Sequence, residues 1–275
     1  MGAIGVFDSG FGGLSILTHL QKELPQNDFI YLGDNARTPY GSRSFETIYE
    51  YTRQCVFHLF ELGCPLVILA CNTASAKALR SIQQIDLPKK YPHHRVLGII
   101  RPIAEESQSF SANNILGLLA TKGTISSESY NIELSKHSPK VKLYSQACPM
   151  WVPLVENNAW KTPGGRFFLE EDVKNLLQQN PKINSILLAC THYPHLKKEL
   201  SKYFPKIQFI EQGPIVANKL KDYLTRHPEI SHKLSQKSKT TFYSTENPIN
   251  LNLQAHFFQA FPPSFTHIHL PEINN

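Results

Sequence analysis

Two apolar runs in this chain end at a cysteine, and that repeated object decides what the rest can fold into. Val67-Ile68-Leu69-Ala70 leads into Cys71-Asn72-Thr73-Ala74-Ser75. Ile186-Leu187-Leu188-Ala189 leads into Cys190-Thr191-His192-Tyr193-Pro194. A short aliphatic run without alternation is a strand buried on both faces, which belongs to a parallel sheet covered by helices. The small polar residues after each cysteine suit a turn and a helix start. Ligands of open α/β sheets collect at the carboxyl ends of the strands. Both thiols are therefore expected at one ligand site, facing one small substrate.

The remaining elements fall around these two. Ile4 to Phe7 is a short strand that breaks at Asp8-Ser9-Gly10-Phe11-Gly12-Gly13, and Leu14 to Leu24 reads as a helix. The glycines fit neither a dinucleotide fingerprint nor a phosphate loop. The turn is either a tight turn or a small anion or ammonium site with Asp8 and Ser9 facing inward. Phe29 to Leu32 is a second strand, followed by a long polar loop from Gly33 to Ser42, of the kind that tends to carry function. Ser44 caps a helix running to Leu62, with Gly63 as its stop. Cys55 lies on that helix's apolar stripe and Cys64 follows the glycine, so both are read as packing. A helix from about Ser75 to Gln84 follows Cys71, then a loop from Leu87 to Arg95. A strand follows at Val96 to Ile100, and a helix begins at Pro102.

The pattern then restarts. Ile115 to Ala120 is a strand ending in Thr121-Lys122-Gly123-Thr124, in the manner of the first strand and Asp8. A strand over Val141 to Tyr144 leads to Cys148-Pro149, a helix covers Phe168 to Gln178, and Ile186 to Ala189 delivers Cys190. Similar element order over similar intervals predicts two pseudo-symmetric, doubly wound α/β domains with mostly parallel sheets. The active site would lie in the cleft between them. The expected division is 1–98 plus 210–275 for the first domain and 99–209 for the second. A helix to Tyr203, a strand over Gln208 to Glu211, a helix over Ile215 to Arg226, a strand over Thr240 to Ser244 and a helix over Leu251 to Phe261 would complete the first half.

Charge and cysteine usage narrow the setting. With 28 basic and 22 acidic residues the net charge is +6, a mild and scattered excess. Its densest cluster, His232 to Lys239, has no interleaved aromatic residues, so no nucleic-acid partner is expected. An anionic substrate is favoured instead. Five cysteines, an odd number without metal-type spacing, point to free thiols in a reducing compartment. No leader and no membrane-length apolar segment is legible, and the protein is expected in the cytoplasm without a membrane partner.

Paired thiols across one pocket allow several chemistries. A disulfide is disfavoured in cytosol. A zinc ion on Cys71, Cys190 and His192 lacks an evident fourth ligand. One nucleophilic thiol would suit an amidase or protease, but no catalytic-cysteine signature fits. Two thiols on opposite faces of a carbon can remove a proton from one side and return one to the other, as in a two-base racemase or epimerase. Thiol pairs are superfluous in a regulator that merely binds an amino acid.

On these residues the chain resembles the glutamate racemases of the cofactor-independent aspartate/glutamate racemase family. The resemblance rests on Gly5-Val6-Phe7-Asp8-Ser9-Gly10 with Gly12-Gly13-Leu14, and on Gly33-Asp34-x-Ala36-Arg37-x-Pro39-Tyr40-Gly41. It also rests on Ala70 to Ser75, on Cys148-Pro149 with Val152 to Glu156, and on Cys190 to Pro194. Tyr193-Pro194 favours glutamate over aspartate. The resemblance implies interconversion of L- and D-glutamate for peptidoglycan synthesis. Cys190 would take the proton from L-glutamate and Cys71 that from D-glutamate. It implies catalytic support from Asp8, His192 and Glu156. The matching substrate-binding residues are Asp8, Ser9, Tyr40, Gly41, Asn72, Thr73, Thr191 and His192, with Thr121 added from the internal parallel. It implies no cofactor and no metal, a homodimer, and, because the chain opens on its first strand, no activation through an N-terminal extension. Ala189 replaces a common glycine, and Glu211-Gln212 replaces a commoner Asp-Ser pair. Cys148 has no base partner in sequence and is read as structural.

Overall fold

The computed structural model describes residues 1–111, 113–247 and 264–270; the helix expected over Leu251 to Phe261 lies outside them. Among the described residues ten strands follow in chain order: β1 Ile4–Asp8, β2 Phe29–Gly33, β3 Leu66–Leu69, β4 Arg95–Gly98, β5 Ile115–Ala120, β6 Lys142–Ala147, β7 Ser185–Ala189, β8 Gln208–Ile210, β9 Thr240–Ser244 and β10 Phe265–His267. They form a six-stranded sheet, β10-β9-β2-β1-β3-β4, and a four-stranded sheet, β6-β5-β7-β8. Every strand pairing among the described residues is parallel.

The order β2-β1-β3-β4 in the first sheet is repeated as β6-β5-β7-β8 in the second. Corresponding strands therefore deliver corresponding residues. Asp8 ends β1 and Thr121 follows β5; Cys71 follows β3 and Cys190 follows β7. This is the pseudo-symmetric α/β architecture expected from the two apolar runs. The strand over 208–210 differs from expectation, because it pairs with β7 through Ser185↔Gln208 and Leu187↔Ile210. It is the counterpart of β4 and belongs to the second sheet, and the chain returns to the first half only after it.

Alternation along β1 explains how the sheet is covered. Ile4 and Val6 face a core shared with the helices Leu14–Glu23 and Gly213–Arg226. Phe7 faces the other core, with Leu32, Val67 and the Ile48, Val56 and Leu59 stripe of the helix Phe45–Glu61. That helix starts as expected, with Ser44 Oγ accepting from the Thr47 N–H at 3.2 Å, a cap worth about 1 kcal/mol. It ends before Gly63, whose φ of +87° needs glycine.

One boundary moves. The helical chain after Cys71 begins at Asn72 and continues through Asn72–Lys77, Leu79–Ser81, Ile82–Asp86 and Leu87–Lys90, so the loop expected from Leu87 starts at Tyr91. Pro88 disfavours a continuing helix, but Ile82–Asp86, just before it, is a π-helical turn. Such a turn absorbs the misfit of a proline within a helix. The following strand is Arg95–Gly98, slightly earlier than expected.

Candidate active site

Each thiol sits where a strand has just ended. Cys71 caps the Asn72 helix: its Sγ accepts from the Ala74 N–H at 3.5 Å and donates to Ser9 Oγ at 3.5 Å. Thr121 caps the helix Lys122–Ser126 in the same way, accepting from the Thr124 N–H at 3.2 Å. Cys190 Sγ stands 3.9 Å from His192 Nδ1, and His192 Nε2 stands 3.2 Å from Glu156 Oε1. Both cysteines, Asp8 and His192 are buried.

The two halves are tied directly across the cleft. Thr191, next to Cys190, donates from Oγ1 to Asp8 Oδ1 at 3.3 Å, and the Gly10 N–H donates to Asp8 Oδ2 at 3.0 Å. Thr73, two residues after Cys71, shares hydrogen bonds with Thr121 at 2.9 Å and Thr124 at 3.4 Å. The Gly123 N–H donates to the Gly41 carbonyl at 2.9 Å. Glycine permits this closeness: a methyl on Gly12 would lie 2.3 Å from Thr191 Oγ1 and 2.7 Å from His192 Nδ1.

Electrostatics separates the two sides. Burial pushes the Cys71 thiol up to about 12, and the nearby Asp8 and Cys190 charges add to this. The hydrogen bonds to Ser9 and Ala74 oppose it but do not win. Cys71 therefore rests as a neutral thiol, a proton donor. Burial also raises the Asp8 carboxyl, against the lowering effects of His192, the Gly10 and Gly13 N–H groups and Thr191. Burial alone would lower His192, but hydrogen bonding and charge from Cys190 and Glu156 outweigh it and raise the imidazole to about 10. His192 is thus an imidazolium at neutral pH, held between a sulfur and a carboxylate.

A stability prediction follows from His192. Its folded value lies above the ordinary 6.5, so the folded state holds the proton more tightly. That contribution is complete below pH 6.5 and is lost as pH rises towards 10. His192→Asn should remove this part of the slope. Denaturant unfolding midpoints at steps from pH 6 to 10 should fall more steeply for the unsubstituted protein; parallel profiles would count against a charged His192.

Most of the expected site residues meet here: Asp8, Ser9, Gly41, Cys71, Asn72, Thr73, Thr121, Glu156, Cys190, Thr191 and His192. Tyr40 is the exception. Its hydroxyl donates to Asp34 Oδ2, and its ring packs against Phe7 and Tyr51. Asp34 is itself held by Arg37 at 2.8 Å and by Thr245 at 2.8 Å. The Tyr40 side chain therefore stabilises the loop, which leaves the segment's backbone to face the cleft. Cys55 and Cys64 are buried in the first half's outer core, as read from sequence. Cys148 is buried also, with Sγ donating to the Gln146 carbonyl at 3.5 Å. Among the described residues no group of three or more His, Cys, Asp or Glu is arranged to hold a metal ion.

Sequence reading passed over three contributors. Thr124 joins the threonine cluster, and its position three residues after a capping threonine was a usable signal. Tyr130 and Gln212 close a hydrogen-bonded ring on Asn72; Gln212 stood out as a departure, whereas nothing marked Tyr130.

Comparison with known proteins identifies the family. The family model described as Asp/Glu/Hydantoin racemase matches residues 14–220. A glutamate racemase of a Ruegeria species is 39% identical over 243 residues, covering 83% of this chain and 87% of the relative. The glutamate racemase of Shouchella clausii is 32% identical over 271 residues, covering 98% and 92%. Among solved structures, glutamate racemase isoform RacE1 from Bacillus anthracis superposes with a TM-score of 0.87 at 28% identity, covering 98% of each chain. The Francisella tularensis glutamate racemase in complex with D-glutamate gives 0.84 at 28% identity, again over 98% of each chain. Matched over most of its length in sequence and over nearly all of it in structure, this chain belongs to the Asp/Glu/hydantoin racemase family.

Proposed function

We propose that this protein interconverts L- and D-glutamate by proton transfer between two cysteines on opposite faces of the α-carbon. The observation that carries this reading is the placement of Cys71 and Cys190 at equivalent strand ends of two like-ordered sheets. They lie close enough for charge on one to affect the other. In the L-to-D direction the Cys190 thiolate takes the α-proton, and the electron pair moves towards the α-carboxylate. The neutral Cys71 thiol then gives its proton to the other face. Solvent exchange returns both sulfurs to their starting states. The imidazolium of His192 stands beside the Cys190 sulfur that takes the proton, with Glu156 orienting it. Helix-start N–H groups and the hydroxyls of Ser9, Thr73, Thr121 and Thr191 supply donors for charge developing on the carboxylate. The proton balance closes without a cofactor.

The family resemblance supports a cytoplasmic homodimer that supplies D-glutamate for peptidoglycan synthesis. The place of β8 in the second sheet moves the expected boundary, so the division becomes 1–98 plus the chain after Ile210 for the first half and 99–210 for the second. Among the described residues no helix is long and apolar enough to cross a membrane. Sedimentation velocity tests the dimer. The function itself is tested by circular dichroism of L-glutamate and L-aspartate solutions incubated with reduced, purified protein. The glutamate signal should decay to zero while the aspartate signal persists. An unchanged glutamate signal with folded protein overturns the proposal.

A further inference from the structure

Asn72 follows Cys71 directly and is the first residue of the helix that Cys71 caps. Its carboxamide does not face the cleft unsupported. Asn72 Nδ2 donates to Gln212 Oε1 at 2.6 Å, and Gln212 Nε2 donates back to Asn72 Oδ1 at 3.2 Å. Gln212 Nε2 also donates to the Tyr130 hydroxyl at 2.8 Å, and Tyr130 donates to Asn72 Oδ1 at 2.7 Å. All three side chains are 2% exposed. The ring joins three parts of the molecule: the Cys71 helix of the first half, the helix Ser129–His137 of the second, and the crossing from β8 to the helix Gly213–Arg226.

Counting donors and acceptors shows what the ring does to Asn72. Its Oδ1 accepts twice, which fills both lone pairs, and one of its two Nδ2 hydrogens is taken by Gln212. One N–H donor is all that the side chain has left. An asparagine without this support could turn over and offer an oxygen to an ammonium group. Held this way, it offers only a donor, which suits a carboxylate oxygen.

We propose that Gln212 is a positioning residue that fixes the Asn72 carboxamide as a donor towards a substrate carboxylate. The inference rests on the racemase reading and assigns Gln212 a role in substrate binding, with no part in proton transfer. A glutamine side chain is long enough to reach Asn72 and Tyr130 together and so closes the ring.

The test uses full-length Gln212→Glu, Gln212→Ala and Tyr130→Phe with initial rates for both enantiomers. Gln212→Glu keeps the shape but cannot donate. Both Gln212 variants should raise KM for L- and D-glutamate by about ten-fold, the effect of losing one hydrogen bond to a charged group. Their kcat should fall by less than about three-fold, since the thiols are untouched. Tyr130→Phe should raise KM by about three-fold. Adding it to Gln212→Ala should change KM little further, because the two act through one ring. Unchanged KM in folded Gln212 variants overturns the proposal even if thermal stability drops, and so does a fall in kcat at unchanged KM. If the Gln212 variants do not fold, an unchanged KM in Tyr130→Phe overturns it. Unsubstituted protein that racemises glutamate keeps the functional reading standing in each of these cases; protein that does not racemise it removes both.

Discussion

Cys71→Ala and Cys190→Ala are each expected to lower the rate of glutamate racemisation by about 10⁴-fold or more, at the upper end of what one acid–base group contributes. That corresponds to about 5–6 kcal/mol of barrier. Neither loss can be direction-specific. The enantiomers have equal free energy, so kcat/KM must fall equally for both. Each variant keeps one thiol, however, and that thiol still faces its own side of the α-carbon. Cys71→Ala should exchange the α-proton of L-glutamate with solvent deuterium without inverting it, and Cys190→Ala should do so with D-glutamate. This residual exchange separates a missing second base from a damaged fold. Cys55→Ala and Cys148→Ala remove buried thiols outside the proton path and should mainly reduce stability. Racemisation at full rate by Cys190→Ala would defeat the two-base account.

Gly12→Ala should have the next largest effect. The added methyl would lie 2.3 Å from Thr191 Oγ1, 2.8 Å from Thr191 Cβ and 2.7 Å from His192 Nδ1. Carbon atoms do not approach so closely, so Thr191 and His192 must move. Thr191 carries the hydrogen bond to Asp8, and His192 carries the contact to Cys190. One methyl therefore disturbs both thiol environments at once. A misplacement of this size costs about 10²-fold in rate. Gly164→Ala is the control, since a methyl there meets nothing within 4 Å and a helical alanine is stabilising by up to about 1 kcal/mol. Steady-state rates beside thermal unfolding distinguish the two; full activity in Gly12→Ala would mean that the halves are held further apart than described.

The sheets were legible because their strands are almost wholly apolar and end abruptly. Asp8, Cys71, Thr121 and Cys190 each mark a strand end, and the repeated order of those ends carries the pseudo-symmetry. Tyr40 shows where motif reading stops: the motif names the residue, but only the packing shows its hydroxyl spent on Asp34. Pro88 shows a local rule overridden, because a π-helical turn upstream lets the helix continue. Gln208–Ile210 was assigned to the wrong sheet, since a three-residue strand carries no signal of its neighbour. The Asn72, Tyr130 and Gln212 ring is illegible for a different reason. Its members are 58 and 140 residues apart from Asn72, and partner choice at such separations is decided by the fold.

The central claim is that two separate thiols serve the two faces of one carbon, and the origin of the product's α-hydrogen tests it most directly. Protein equilibrated in deuterium oxide is given L-glutamate bearing ordinary hydrogen, and D-glutamate is isolated from the first turnovers. The two-thiol account predicts deuterium at the α-carbon of essentially every product molecule, because Cys190 keeps the substrate's proton and Cys71 delivers one drawn from solvent. D-glutamate that retains the substrate's own hydrogen would contradict it and indicate one base working on both faces.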